Sequence, residues 1–184
     1  MTGPVAMTIK RSHYENAFEA YLALRGIPCV SVEEVRHTAK ARSGLKLFDY
    51  IVYPSDARAC LIDVKGRKSN GVGRDGEPRQ KTWVTRADIV GLGEWGAVFG
   101  EAYVPAFVFA YWLTASAGRT EELIDTGRYF RFARRTYSFW LVTLDDYIRL
   151  QRPLSKRWET VTVGRDAFRG ISRPLGAVWP AAPC

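Results

Sequence analysis

The sequence predicts an α/β fold, a central mixed β-sheet flanked by helices, and three observations carry that prediction. Phe48 to Tyr53, Ala59 to Lys65 and Val104 to Leu113 are short apolar runs rich in Val, Ile, Phe and Tyr, the composition of strands. Ser12 to Arg25 and Thr85 to Phe99 instead repeat their apolar residues at threes and fours, the spacing of helices packed on one side. The Val104 to Leu113 strand follows the second helix, so a strand-helix-strand crossover is expected there. The order is αβ(α)ββαβ followed by additions, with a core over about 11–113 and additions over 128–175, in a single domain spanning 1–184.

Each element has its own signal. In the first helix Tyr14, Ala17, Phe18, Tyr21 and Leu22 share a face, and Gly26-Ile27-Pro28 ends it. Ser12-His13-Tyr14-Glu15 has the S-x-x-E form of a capping box. Cys29 to Val32 is a short strand, and Glu33 to Ala41 a weak helix or loop. Phe48 to Tyr53 and Ala59 to Lys65 flank Pro54-Ser55-Asp56-Ala57-Arg58, a hairpin with a five-residue loop. Gly66 to Lys81, GRKSNGVGRDGEPRQK, has too little apolar content to fold on and predicts a mobile basic loop.

The helix over Thr85 to Phe99 offers Ile89, Val90, Leu92, Trp95, Val98 and Phe99 as its apolar stripe, with Thr85 or Asp88 at its start. Val104 to Leu113 is apolar throughout, as in a strand at the sheet centre. Ala115 to Gly127 is a polar connector. Tyr129 to Phe132 and Thr136 to Val142 form a second hairpin around Ala133-Arg134-Arg135. Asp145-Asp146 open a short helix to Leu150, where negative charge suits the helix dipole better than it suits a metal. A strand at Thr160 to Val163, a helix over Arg165 to Gly170 and a Pro-rich end complete the chain.

Composition narrows the function classes. The chain carries 27 basic against 19 acidic residues, a net charge of +8, and twenty of the basic residues are arginine, whose planar fork suits phosphate. A polyanion is the favoured partner, with solubility alone as the plain alternative. No uncharged run is long enough to cross a bilayer and the start lacks a signal-peptide pattern, so a soluble, cytoplasmic protein is expected. Cys29, Cys60 and Cys184 are scattered, without metal-ligand spacing.

The chemistry concentrates on the first hairpin. A loop symmetric about Asp56 sets Asp49 across from Asp63, and the alternation of strand side chains then puts both on one face with Lys65. Two carboxylates roughly 5 Å apart at their Cβ atoms repel unless a hard cation lies between them or one keeps its proton. A one-residue change of register would instead send them to opposite faces as solvated acids. Charges inside the apolar run Leu61-Ile62-Asp63-Val64-Lys65 mark a site, since a buried strand holds them only if they pair or act.

This pattern, an acid, about a dozen residues and then acid-x-Lys on a hairpin, resembles the PD-(D/E)xK nuclease superfamily, which includes restriction endonucleases and Holliday-junction resolvases. Phe48 stands where the motif has proline, and the second acid is Asp rather than Glu. Lys65 is the one lysine of seven with an acid two residues before it. His13 to Glu19, HYENAFE, is also similar to the H-Y-E-x-A-F-E signature of a group of bacterial proteins.

The resemblance implies a restriction-endonuclease-like core and Mg²⁺-dependent hydrolysis of nucleic-acid phosphodiesters, DNA first, with Mn²⁺ as a substitute. Asp49, Asp63 and the Val64 carbonyl would hold the ion, and Lys65 would stabilise or help deprotonate the attacking water. Glu15 on the first helix would serve a second ion, against the alternative that it only caps its helix. Glu19 reads as a surface or arginine-paired acid and His13 as a helix-start residue. Arg67, Lys68, Arg74, Arg79 and Lys81 on the basic loop would contact the phosphate backbone. Gln80 is a candidate helper residue, and Trp83 either stacks on a base or anchors the core. Arg128, Arg131, Arg134 and Arg135 interleave with aromatics as a second phosphate-facing surface. The rival class is a nucleic-acid-binding or assembly module that keeps the fold without cutting, and a homodimer is left open.

Overall fold

The computed structural model describes residues 11–32, 46–70, 80–114 and 128–179. Arg74 and Arg79, the weak helix expected over 33–41, the acids of the 115–127 connector and Cys184 lie outside these segments.

Helix α1, His13–Leu24, is followed by strands β1, Cys29–Ser31, β2, Tyr50–Val52, and β3, Ala59–Ser69. A two-residue strand β4, Val84–Thr85, leads into helix α2, Arg86–Phe99, and then strand β5, Tyr103–Leu113. Strands β6, Phe130–Phe132, and β7, Arg135–Thr143, precede helix α3, Leu144–Leu150, and strands β8, Gln151–Ser155, and β9, Thr160–Val163. Helix α4, Arg165–Ile171, strand β10, Arg173–Pro174, and helix α5, Leu175–Val178, close the described chain.

The principal sheet is mixed, in the order β1-β2-β3-β5-β7-β10 with β6 also on β7. Its one parallel pair is β3 with β5, joined through α2 as the crossover predicts; the other pairs are antiparallel. Residues 106–111 of β5 are fully buried, which fits a strand with neighbours on both edges and cover on both faces.

The two faces are covered differently. Against one, Phe18, Tyr21 and Leu22 of α1 pack on Tyr50, Ile62, Val108 and Phe139. Against the other, Leu92 of α2, Tyr147 of α3, Phe168 of α4 and Val161 and Val163 of β9 pack on Leu61, Phe107 and Phe109. β9 belongs to a second sheet, β4-β9-β8, that lies on this face. Sequence reading did not find β8: QRPLS contains Pro153, which weakens a strand signal and is tolerated here because β8 is an edge.

Two other expectations change. Gly66, Arg67, Lys68 and Ser69 are not loop but the end of β3, because β5 runs alongside and pairs with it as far as Ser69 opposite Leu113. Gly66 is needed there: a Cβ would fall 2.2 Å from the Tyr14 ring. In α2, Val90 and Val98 are 55% and 71% exposed, and the buried side is Asp88, Gly91 and Leu92. Among the described residues no helix is long and apolar enough to cross a membrane.

Candidate active site

The first hairpin pairs β2 with β3. Tyr50, Ile51 and Val52 lie opposite Ile62, Leu61 and Cys60, and the Asp49 amide donates to the Ile62 carbonyl at 2.8 Å. That bond is one residue out of the β2–β3 register, and Asp49 itself stands in a bend just before β2, outside the paired residues. The Val64 amide donates to Asp49 Oδ2 at 2.7 Å, which ties the first acid to the strand carrying the second. Asp49, Asp63 and Lys65 are all buried.

Lys65 sits between two carboxylates. Its Nζ is 2.7 Å from Asp63 Oδ2 and 2.9 Å from Asp88 Oδ1, and it lies over the Phe107 ring. Asp88 is the residue that sequence reasoning treated only as a helix-start acid. It is the third residue of α2 and forms a capping box with Thr85: its amide donates to Thr85 Oγ1 at 3.1 Å, and its Oδ2 accepts from the Thr85 amide at 2.7 Å. Its other oxygen takes both Lys65 and Lys46. The T-x-x-D spacing was a visible signal for the cap. That two lysines converge on the same acid depends on the crossover laying α2 beside β3.

These contacts set the charges. Burial works to raise the Asp88 carboxyl, yet the Lys65 ammonium and the hydrogen bonds from Lys46, Lys65 and Thr85 hold it well below the usual carboxylate range. Burial works to lower Lys65, but Asp63 and Asp88 more than offset it and keep the ammonium protonated beyond its ordinary range. Asp63 goes the other way: burial raises its carboxyl, Asp88 adds to the rise, and Lys65 offsets only part of it. Lys65 is thus held cationic and Asp88 anionic, while the Asp63 carboxyl lies above its ordinary range.

Glu15 is not brought to this group. Its Oε2 accepts from the Ser12 amide at 3.2 Å while Ser12 Oγ accepts from the Glu15 amide at 3.3 Å, a complete capping box. α1 packs on the opposite face of the sheet from Asp63 and Lys65. Among the described residues no three His, Cys, Asp or Glu side chains converge to hold a metal. Glu19 pairs with Arg11, and His13 Nδ1 lies 3.0 Å from the Tyr137 hydroxyl, which keeps both in the packing of α1.

The basic residues divide. Arg67 lies on β3 one alternation beyond Lys65, with its guanidinium 3.9 Å from the centroid of the Trp83 ring. It donates to the Gly66 and Trp83 carbonyls, and its Nε is buried without a partner. Trp83 is thus a half-exposed stacking surface, not a core anchor. Lys68 is exposed and shares the Trp112 ring with Arg135 on the α1 side of the sheet. Lys81 is exposed; Gln80 has both amide atoms buried without hydrogen-bond partners. Arg131 and Arg134 are exposed on the β6–β7 hairpin, whose tip residues Ala133 and Arg134 take positive φ.

Asp49 and Asp63 are the carboxylates that could hold a cation beside β3, with Oδ2 of Asp49 engaged by the Val64 amide and Oδ2 of Asp63 by the Lys65 ammonium. Mg²⁺ commonly uses one or two carboxylates and completes its shell with water and phosphate oxygens, and Asp49 with Asp63 supplies that number of acids. A second ion through Glu15 does not fit, because that carboxylate is engaged on the far face.

The chain matches no protein-family model and no curated protein. Among solved structures it is similar to Hjc, a Holliday junction resolvase from the archaeal hyperthermophile Archaeoglobus fulgidus, at 11% identity and a TM-score of 0.48 over 93% of this chain and 96% of that one.

Proposed function

We propose that this protein hydrolyses phosphodiester bonds of nucleic acid, DNA first, in a metal-dependent reaction centred on Asp49, Asp63 and Lys65. The observation that carries the reading is the buried Lys65 ammonium held 2.7 Å from Asp63, on a strand whose Val64 amide donates to Asp49 Oδ2 at 2.7 Å. Burying such charges costs free energy, so their retention in an apolar strand points to use.

Asp49 and Asp63, with the Val64 carbonyl alongside, would hold Mg²⁺, which when bound supplies Lewis-acid polarisation of the scissile phosphate. An ammonium has three donor hydrogens, and Asp63 and Asp88 account for two of Lys65's. The third is available to a phosphate oxygen. Because both carboxylates keep Lys65 protonated, its part is to offset the charge that develops on the phosphoryl oxygens, not to take a proton from water. Asp88 positions Lys65 and keeps it charged. The expected second ion at Glu15 is left out of this scheme.

The test is cleavage of labelled DNA with Mg²⁺ and with chelator, by wild type, Asp49→Asn and Asp63→Asn. These near-isosteric changes keep the fold, checked by circular dichroism, and each is expected to lower the cleavage rate at least a hundredfold while DNA binding in chelator persists. Undiminished cleavage by both variants would sink the catalytic assignment. Binding without cleavage by wild type in Mg²⁺ or Mn²⁺ would favour a non-cutting module on the same fold.

A further inference from the structure

We infer that the outer face of the three-stranded sheet, with the tip of the β8–β9 hairpin, is a track for an unpaired nucleic-acid strand entering the candidate site. The inference rests on the nucleic-acid reading above and names where and in what form the strand is held.

The track begins beside Lys65. Arg67 follows it on the same face of β3 and stacks on Trp83. Val84 pairs with Val161 and both are buried, whereas Trp83, next to Val84, is 38% exposed and Arg152 of β8 is exposed. Trp83 directly precedes β4, outside its paired residues, and Thr162 of β9, whose Oγ1 lies 2.9 Å from that of Thr82, is paired with Arg152 of β8. β9 lies between β4 and β8, so Trp83 and Arg152 stand about two strand spacings apart, roughly 10 Å. That distance lets one nucleotide lay its base on the indole and its phosphate on the guanidinium.

The hairpin tip extends the same pattern. Lys156 and Arg157 precede Trp158, which is 67% exposed with the Arg157 guanidinium 5.1 Å from its ring. The tip is not loose: the Trp158 amide donates to Ser155 Oγ, and the Glu159 carbonyl accepts from the Arg86 amide at 2.9 Å, the first residue of α2. Glu159 takes a positive φ of 45°, a conformation few side chains adopt, to turn the chain there. Through Arg86 the exposed tryptophan is anchored two residues from Asp88, at the candidate site.

Two features select the occupant. The cations, Arg67, Arg152, Lys156 and Arg157, call for a polyanion. The two accessible indoles call for free π faces, which an unpaired strand offers and a stacked duplex hides.

The test is anisotropy titration of a labelled single-stranded oligonucleotide, and of the duplex it forms, in chelator so that nothing is cut. Trp158→Ala and Arg152→Ala are each expected to weaken single-strand binding about tenfold, as the loss of one stacked base or one phosphate contact implies, with duplex binding changed less than about threefold. Trp158→Phe, which keeps a ring, is expected to restore most of the loss. Unchanged single-strand affinity in both alanine variants, or an equal loss on duplex, overturns the track. Cleavage by wild type in Mg²⁺ is scored separately: a track that binds in a protein that never cuts removes the nuclease reading alone, and cutting with unaltered binding removes the track alone.

Discussion

The Lys65 ammonium bridges to Asp88 at 2.9 Å, joining the middle of the central parallel pair to the first turn of the helix that connects its strands. The link makes the crossover helix part of the candidate site. It also makes the site's charges part of the fold's stability.

Asp88 titrates below the ordinary aspartate range in the folded chain. Its ionised form therefore stabilises the fold above about pH 4, and that contribution is lost as pH falls through the depressed folded value. Asp88→Asn is expected to cost about 2–4 kcal/mol at pH 7, from a broken buried ion pair and a weakened cap, with the deficit shrinking below pH 4. Urea denaturation of both proteins across pH 3 to 7 measures it; a pH-independent deficit contradicts the assignment.

Asp63 carries the opposite sign. Its carboxyl is raised by burial, so the stability it contributes is full below about pH 4 and is lost as pH rises through the raised value. Asp63→Asn should lie within about 1 kcal/mol of wild type at pH 7 and gain on it between pH 4 and 7, because Lys65 keeps Asp88 as a partner. A loss as large as that of Asp88→Asn would mean that Asp63 is firmly ionised in the fold.

Gly66 has no room for a side chain, since its Cβ would sit 2.2 Å from Tyr14 Cδ2. Gly66→Ala is expected to destabilise by about 1–3 kcal/mol through overpacking. In a Tyr14→Ala background the same change should cost much less, a coupling that a double-mutant cycle reads directly. Additive costs would show that the ring does not rest on the strand.

Glu15 distinguishes a cap from a ligand. Glutamine preserves the capping box, so Glu15→Gln should leave the melting temperature and any Mg²⁺-dependent cleavage near wild type, whereas Ser12→Ala should cost about 1 kcal/mol. Abolished cleavage in a stable Glu15→Gln protein would reinstate that carboxylate as a metal ligand.

What the sequence determined by itself was local in origin. The helical spacing of Tyr14 to Leu22, the strand composition around Asp63 and the apolar run of β5 are written in adjacent residues, and the hairpin loop length set Tyr50 to Val52 against Cys60 to Ile62 because antiparallel pairing propagates from a short turn. Tertiary structure decided the rest. It alone laid α2 beside β3, so that Asp88 met Lys65 and Lys46; it gave Arg67 and Lys68 a strand conformation by offering β5 as a partner; and it sent Glu15 to the far face with α1. The physical reason is the range of the interactions: propensity, capping and turn length act over a few residues, whereas a buried charge takes its partner from whatever distant segment the packing of the core brings alongside.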